Sequence, residues 1–224
     1  MSVITISSQL GSLGSVIAEK TGKALGYHVT DKSTVEAIFK EYGLPPLEDE
    51  YQAIPGFWDR FAVEKQNRRH VLFSMLDKSI CAMARYGNVV IEGRGGFAVL
   101  AGLADVLNVR IQAPMETRLH RLVDSPSIGD PGLAEEAIHN SDQVKKTFIS
   151  SVYGRAWDSA GDFDLVIDTA KVPPDLAAEM IIQATKALEG AGMGGKRTTA
   201  DLPEDKILVA AVDDVLNPVG THTG

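Results

Sequence analysis

Cysteine is nearly absent from this 224-residue chain: Cys81 stands alone, which excludes an intramolecular disulfide. It sits in a helical-looking stretch, ICAMAR, where a small buried apolar residue is expected, and a reducing cytoplasm fits. Long apolar runs are missing too, so no segment is expected to cross a bilayer. Positive charge is scarce: 22 Lys and Arg stand against 30 Asp and Glu, a formal net charge of -8. That balance argues against broad nucleic-acid binding, which needs a basic surface to displace counterions, and leaves room only for a local phosphate pocket. The five histidines, His28, His70, His120, His139 and His222, lack metal-ligand spacing, so a protein-built zinc site has little support. The opening MSVITISS has no basic run ahead of an apolar stretch and reads as a first strand, so secretion is not expected.

What remains is the composition of one globular core. Residues 3–6 are β-branched and apolar, and a Ser/Gly-rich turn separates them from a helical pattern over 16–25. A short strand over 27–30 precedes a helix over 33–42 stopped by Gly43 and the Pro45-Pro46 pair. Residues 44–55 read as loop, and 58–86 as a long helical stretch with a break. The run NVVIE, 88–92, is continuous and apolar, as a parallel strand buried on both faces should be, and GRGG follows at once. A strand over 106–113 leads through Pro114 to a helix, a Pro/Gly-rich connection over 124–132, and two further helices. The last clear strand, 163–168, is followed by an amphipathic helix over 173–188. Strands alternating with helices predict an α/β fold with a mostly parallel sheet covered on both faces.

The boundary of the core is expected near residue 189. The run GAGMGGKRTT has linker composition, and the apolar-acidic DKILVAAVDDVLNP completes an appendage over 190–224. It docks either on its own core or on a neighbouring subunit, which would make a homo-oligomer.

The strongest chemical signal is ITIS followed by SQLGSLGS and a helix, because such a turn aims backbone N–H groups and a helix N-terminus at a phosphate. Gly11 and Gly14 permit close approach of the backbone. The Walker pattern, however, needs a Lys after its last loop glycine, and Gly14 stands there, followed by Ser15, with no Lys or Arg before Lys20. A turn that merely packs helix on strand is the competing explanation.

Four motifs in order resemble the cytidylate-kinase-like family, a divergent branch of the nucleoside monophosphate kinases, over residues 2–189. They are ISSQLGSLGSVIA (6–18), VVIEGRGG (89–96), RIQAPMETRLHR (110–121) and FDLVIDT (163–169). The resemblance implies a P-loop three-layer sandwich with a small helical lid and acceptor region. It also implies phosphoryl transfer from ATP, with Mg²⁺, to a nucleoside monophosphate such as CMP or dCMP, or to another small phosphorylated metabolite. The Walker Lys is commonly absent in that family, where an Arg often follows the loop glycines; here Ser15 replaces it.

The residues themselves point to one edge of the sheet. Ligands of open α/β sheets sit outside the carboxyl ends of the strands, where Ser7, Ser8, Asp31, Glu92, Gly93, Arg94 and Asp168 are expected. Ser8, Gly11, Ser12, Gly14, Ser15 and Asp31 are candidates to hold the nucleotide, and Ser15 and Glu92 to hold the metal or its waters. Arg94, between two glycines, is set to grip a phosphate with its bidentate fork. Glu92, closing a buried strand, needs either a metal-bound water or a basic partner such as Arg94 or Arg118. Arg118 and Arg121 share one helical face and either address one anion or form a solvated basic surface. Asp142, Lys145 and Lys146 occupy the lid position where the family often has an Asp and an Arg, a lysine keeping the charge but losing the fork. Arg94, Arg118, Arg121 and Lys145 are together the candidate catalytic cations. Asp31 either faces the acceptor or caps the following helix. PGFWDRF, 55–61, with Arg68 and Arg69 beyond, forms either a lid over the acceptor or part of the core. A nucleotide-binding or regulatory protein that kept the fold and lost the chemistry is the rival reading. A module docking a partner through its tail is the third.

Overall fold

The structure, a computed structural model, describes residues 2–41, 43–47, 63–126, 128–192 and 194–217, with side chains from residue 69 onward in the helix that starts at Val63. Among these, strands Val3–Ser8 (β1), His28–Thr30 (β2), Val89–Glu92 (β3), Val106–Gln112 (β4) and Leu165–Asp168 (β5) form one all-parallel sheet in the order β2-β3-β1-β4-β5. The strand order reverses at β1, which pairs Ile6 with Glu92 of β3 on one side and with Val109 of β4 on the other. Such a reversal opens a crevice at the carboxyl ends of the strands.

Side-chain alternation explains the layers. Ile4 and Ile6 of β1, Val90 of β3, and Leu107, Val109 and Ile111 of β4 are buried on one face. There they pack with helices Gly14–Leu25 (α1) and Pro174–Gly190 (α7), through Ile17, Ala18, Ala177 and Ile181. Val3, Val89 and Ile91 turn to the other face. This second core takes in helices Lys32–Glu41 (α2) and Val63–Tyr86 (α3), the one-turn helix Gly96–Val99 (α4), and Phe148 and Ile149 of Pro131–Tyr153 (α6). Helix Met115–Val123 (α5) packs against α6. The fold is the P-loop three-layer sandwich that the four motifs imply.

Two stretches differ from the sequence-based expectation, and a third is described only in part. One continuous helix, α6, replaces the two expected after residue 132, since no Gly or Pro interrupts it before Gly154, its left-handed cap. The Asp130 side chain starts it by accepting from the Leu133 N–H at 2.9 Å. β1 runs two residues further than expected and α1 starts at Gly14, so the intervening loop is short. Of the 58–86 stretch, helix is described from Val63; the 55–61 cluster and the Arg68 side chain lie outside the described residues.

The described part of the tail docks on its own core. The helix Lys206–Leu216 (α8) buries Leu208, Ala211 and Val212 and packs against α3 and α2. Ahead of it Asp105 accepts from the Thr199 N–H and hydroxyl, the latter at 2.6 Å, and Arg85 donates to the carbonyls of Ala200 and Leu202. Among the described residues no helix is long and apolar enough to cross a membrane.

Candidate active site

A cavity of about 470 Å³ lies where the carboxyl ends of β1, β2 and β3 meet α6. Ser7, Ser8 and Ser15 line it from β1 and the following turn, and Asp31 and Lys32 from the end of β2. Glu92, Gly93 and Arg94 follow β3, and Ser141 and Lys145 come from α6. Six expected site residues, Ser8, Ser15, Asp31, Glu92, Arg94 and Lys145, are thereby brought together. Gly11, Ser12 and Gly14 belong to the phosphate-type loop and Arg118 and Arg121 back onto it, none of them lining the cavity, and Asp168 instead caps its own turn, accepting from the Ala170 N–H at 2.9 Å.

The loop between β1 and α1 is held from within and from β4. The Gln9 N–H donates to the Ile111 carbonyl and the Ser12 N–H to the Gln9 carbonyl, each at 3.1 Å. The Ser12 hydroxyl donates to the Gln9 carbonyl at 2.7 Å and is spent inside the loop. Leu13 takes the left-handed backbone, φ 66°, where a glycine would be unstrained. Gly14 is helical, and its need for glycine is one of space: a Cβ there would lie 2.2 Å from the Ser8 Cβ. At Gly11 a Cβ would come within 3.0 Å of Arg118, so α5 backs directly onto the loop.

Arg121 ties this loop to the end of β5. Its guanidinium donates to the Gly11 carbonyl at 3.1 Å, the Thr169 hydroxyl at 2.9 Å and the Thr169 carbonyl at 2.7 Å. Thr169 in turn donates its hydroxyl to the Ser12 carbonyl at 3.0 Å. Arg118, though buried, faces Asp142 of α6 at 2.9 Å. The Arg118 Nε and Asp142 Oδ1 are buried without a hydrogen-bond partner, an unfinished pair that a further polar ligand would complete.

Glu92 accepts a 2.5 Å hydrogen bond from the Ser15 hydroxyl. Burial pushes its carboxyl above the usual range; the Ser15 bond and the Lys145 charge oppose this, and Asp31 adds to it. The pair therefore offers two adjacent oxygens in a setting that favours a cation. Magnesium needs one or two carboxylates beside waters and phosphate oxygens, so these residues fit it without a protein-built cage. Among the described residues no group of three or more His, Cys, Asp or Glu forms such a cage.

Lys145 reaches from α6 to the Ser8 carbonyl at 2.8 Å. Burial pushes its ammonium down to about 8, Arg110 and Arg118 act in the same direction, and Asp142 and Glu92 oppose them. Arg94 is buried and sits in a run of three left-handed residues, Gly93, Arg94 and Gly95, with φ of 73°, 54° and 80°. A non-glycine residue held this way costs about 1 kcal/mol or more, and such strain clusters at functional sites. Asp31 caps α2: its carboxylate accepts from the Ser33 and Thr34 N–H groups at 2.8 and 3.2 Å. Burial alone would raise its carboxyl, but the bonds from Ser33 and Thr34 outweigh it and hold it below the usual range.

Three residues escaped the sequence reading. Trp157 donates its indole N–H to the Ser7 hydroxyl at 3.0 Å, and the Arg110 guanidinium stacks 4.0 Å from its ring. The signal for Arg110 was a charged residue inside a buried strand, alternating with Val109 and Ile111. Lys32 follows Asp31 and lines the cavity, with nothing in the local pattern to mark it.

Known proteins resemble this chain over most of its length. The description of the cytidylate kinase-like family matches residues 3–171. The cytidylate kinase of Ignicoccus hospitalis is 31% identical over 182 residues, 81% of this chain and 97% of that protein. The cytidylate kinase of Methanocaldococcus jannaschii is 31% identical over 98 residues, 43% of this chain and 54% of that one. Among solved structures, an uncharacterised protein from Eubacterium ventriosum shares the fold with a TM-score of 0.63 at 19% identity, over 84% of this chain and 99% of that chain.

Proposed function

This chain belongs to the cytidylate kinase-like family, and on that premise we propose that it transfers the terminal phosphoryl group of ATP to a nucleoside monophosphate of the CMP or dCMP type. In that reaction an acceptor phosphate oxygen forms a bond to the γ-phosphorus while the bond to the β,γ-bridging oxygen breaks. The products are ADP and a nucleoside diphosphate. Catalysis of this kind is chiefly positioning and charge neutralisation, so the cations matter more than any base.

The observation that carries the reading is the convergence of Ser15, Glu92, Arg94 and Lys145 on one cavity beside a glycine loop that opens a helix. The backbone N–H groups of Gly11, Gly14 and Ser15 suit the donor phosphates. Ser15 and Glu92 would hold Mg²⁺, which neutralises phosphate charge when bound. Arg94 and Lys145 bind phosphate oxygens, Arg118 steadies α6 through Asp142, and Arg121 keeps the loop in shape. Asp31 and Lys32 lie toward the acceptor, Asp31 ordering the start of α2 beside it.

The experiment is a transfer assay of the purified chain with ATP and Mg²⁺ against the common nucleoside monophosphates and a panel of small phosphorylated metabolites. CMP or dCMP as the preferred acceptor supports the proposal. Tight ATP binding with no transfer to any acceptor overturns it and supports a second reading, a nucleotide-binding protein that lost its chemistry. That reading has one observation in its favour: Gly14 in place of the loop lysine.

A further inference from the structure

The loop that should hold a lysine is closed to one. A side chain at position 14 would have to start 2.2 Å from the Ser8 Cβ and 2.5 Å from its Oγ, so Ser8 and a lysine at 14 exclude each other. The next cation along the chain gives no substitute: Lys20 is half-exposed and pairs with Asp175 of α7 at 2.6 Å. Lys145 reaches Ser8 from α6 instead. Its Nζ donates to the carbonyl of Ser8, the residue whose side chain blocks position 14, at 2.8 Å, and lies 5.6 Å from the Trp157 ring. That carbonyl takes one of its three hydrogens, and the other two have no acceptor among the described residues. They are available in the cavity lined by Ser15, Glu92 and Arg94.

We propose that Lys145 replaces the missing loop lysine, delivering from α6 the charge that meets the β- and γ-phosphates of the donor, and that Ser8, Gly14 and Lys145 form one interdependent set. The inference rests on the phosphotransfer reading for its catalytic part, and on donor binding alone for the rest. Two local arrangements put one ammonium beside the donor phosphates: glycine at 8 with lysine at 14, or serine at 8 with glycine at 14 and a lysine from α6. Steric exclusion forbids mixing the first lysine with the second serine. The Trp157 indole, anchored on the Ser7 hydroxyl at 3.0 Å, lies beside the Lys145 ammonium, which is 5.6 Å from its ring.

The test is a complementation series in the full chain: Lys145→Met, Lys145→Arg, Ser8→Gly/Gly14→Lys, and the triple variant that adds Lys145→Met to the double. Lys145→Met is expected to lower kcat about 10²- to 10³-fold, as loss of one charged transition-state contact does, and the triple variant to recover at least tenfold of it. Wild-type kcat in Lys145→Met overturns the inference, as does a folded triple variant no faster than Lys145→Met. A lysine that only braced the loop would not be rescued by a second lysine six residues away from its own contact. Should the triple variant fail to fold, the affinities of Lys145→Met and Lys145→Arg for ATP and AMP decide. Loss of at least tenfold for ATP with AMP unchanged supports the inference, and equal affinities for ATP in wild type and Lys145→Met refute it. These binding measurements stand even if the wild-type chain transfers phosphate to no acceptor, so failure of the reaction and failure of this lysine are told apart.

Discussion

Ser8 and Gly14 compete for one volume: the Ser8 side chain fills the place from which a side chain at 14 would start, 2.2 Å away. Gly14 is thus required by contact and not by backbone conformation, since it is already helical and the left-handed residues of the loop are Gly11 and Leu13. Gly14→Ala is expected to destabilise the fold by about 1–3 kcal/mol through overpacking, and Ser8→Gly in the same chain to restore most of it. Thermal unfolding of the single and double variants checks this; a Gly14→Ala variant as stable as the wild type contradicts it.

Arg121 holds the loop to the end of β5 with three hydrogen bonds from one planar fork, two of them to backbone carbonyls. Arg121→Lys keeps the charge and loses the fork, so it is expected to behave almost as Arg121→Ala, both unfolding at lower temperature and both with a raised KM for ATP. Full retention of stability and KM in the lysine variant would show that charge alone suffices.

Arg94 combines a buried guanidinium with a left-handed backbone at the mouth of the cavity. Arg94→Ala is expected to weaken nucleotide binding by about 1.5–3 kcal/mol, the range for hydrogen bonds to charged groups. Calorimetric titration with ATP and with CMP separately identifies which phosphate it serves. Unchanged affinity for both in a folded variant would make Arg94 structural.

Lys145 sets a pH limit. Its ammonium is pushed down to about 8, chiefly by burial, among Asp142, Glu92, Arg110 and Arg118. The kcat/KM for ATP, which reports the free enzyme, is expected to fall about tenfold per pH unit above about 8, while kcat holds to higher pH because bound phosphate favours the charged lysine. Stability moves the other way: the unfolded chain keeps its proton up to about 10.5, so the cost of burying the charge, present below about 8, is relieved as pH rises between these values. Lys145→Arg should move the fall in kcat/KM beyond the measurable range. A wild-type profile flat from pH 7 to 10 would contradict this account.

Leu208 of α8 is fully buried in the core shared with α2 and α3. Leu208→Ala is expected to cost about 2–5 kcal/mol, the range for such cavities, detectable by denaturant unfolding. A cost under 1 kcal/mol would mean that the tail contributes little to the fold.

The alternation of strands and helices, the loop after β1, and the Gly-Arg-Gly turn after β3 were all legible in the sequence. Each is written locally, in side-chain periodicity and in the punctuation of glycine and proline. Local pattern was less informative where breakers were absent or charge was misleading. It divided α6 into two helices, and it treated Arg118 and Arg121 as equals although one pairs with Asp142 and the other braces the loop. It left Asp31 between two roles; its cap on α2 is now explicit, beside its position in the cavity wall.

The sequence alone determined the layered fold and the absence of a loop lysine, because both follow from which residues neighbour one another along the chain. Tertiary structure decided what that absence means. Lys145 stands 137 positions from Ser8 and Trp157 150 positions from Ser7, separations at which no periodicity survives. Only the packing of α6 and the segment after it against the end of β1 brings an ammonium and an indole to the same turn, and only steric contact makes Ser8 forbid what Gly14 lacks.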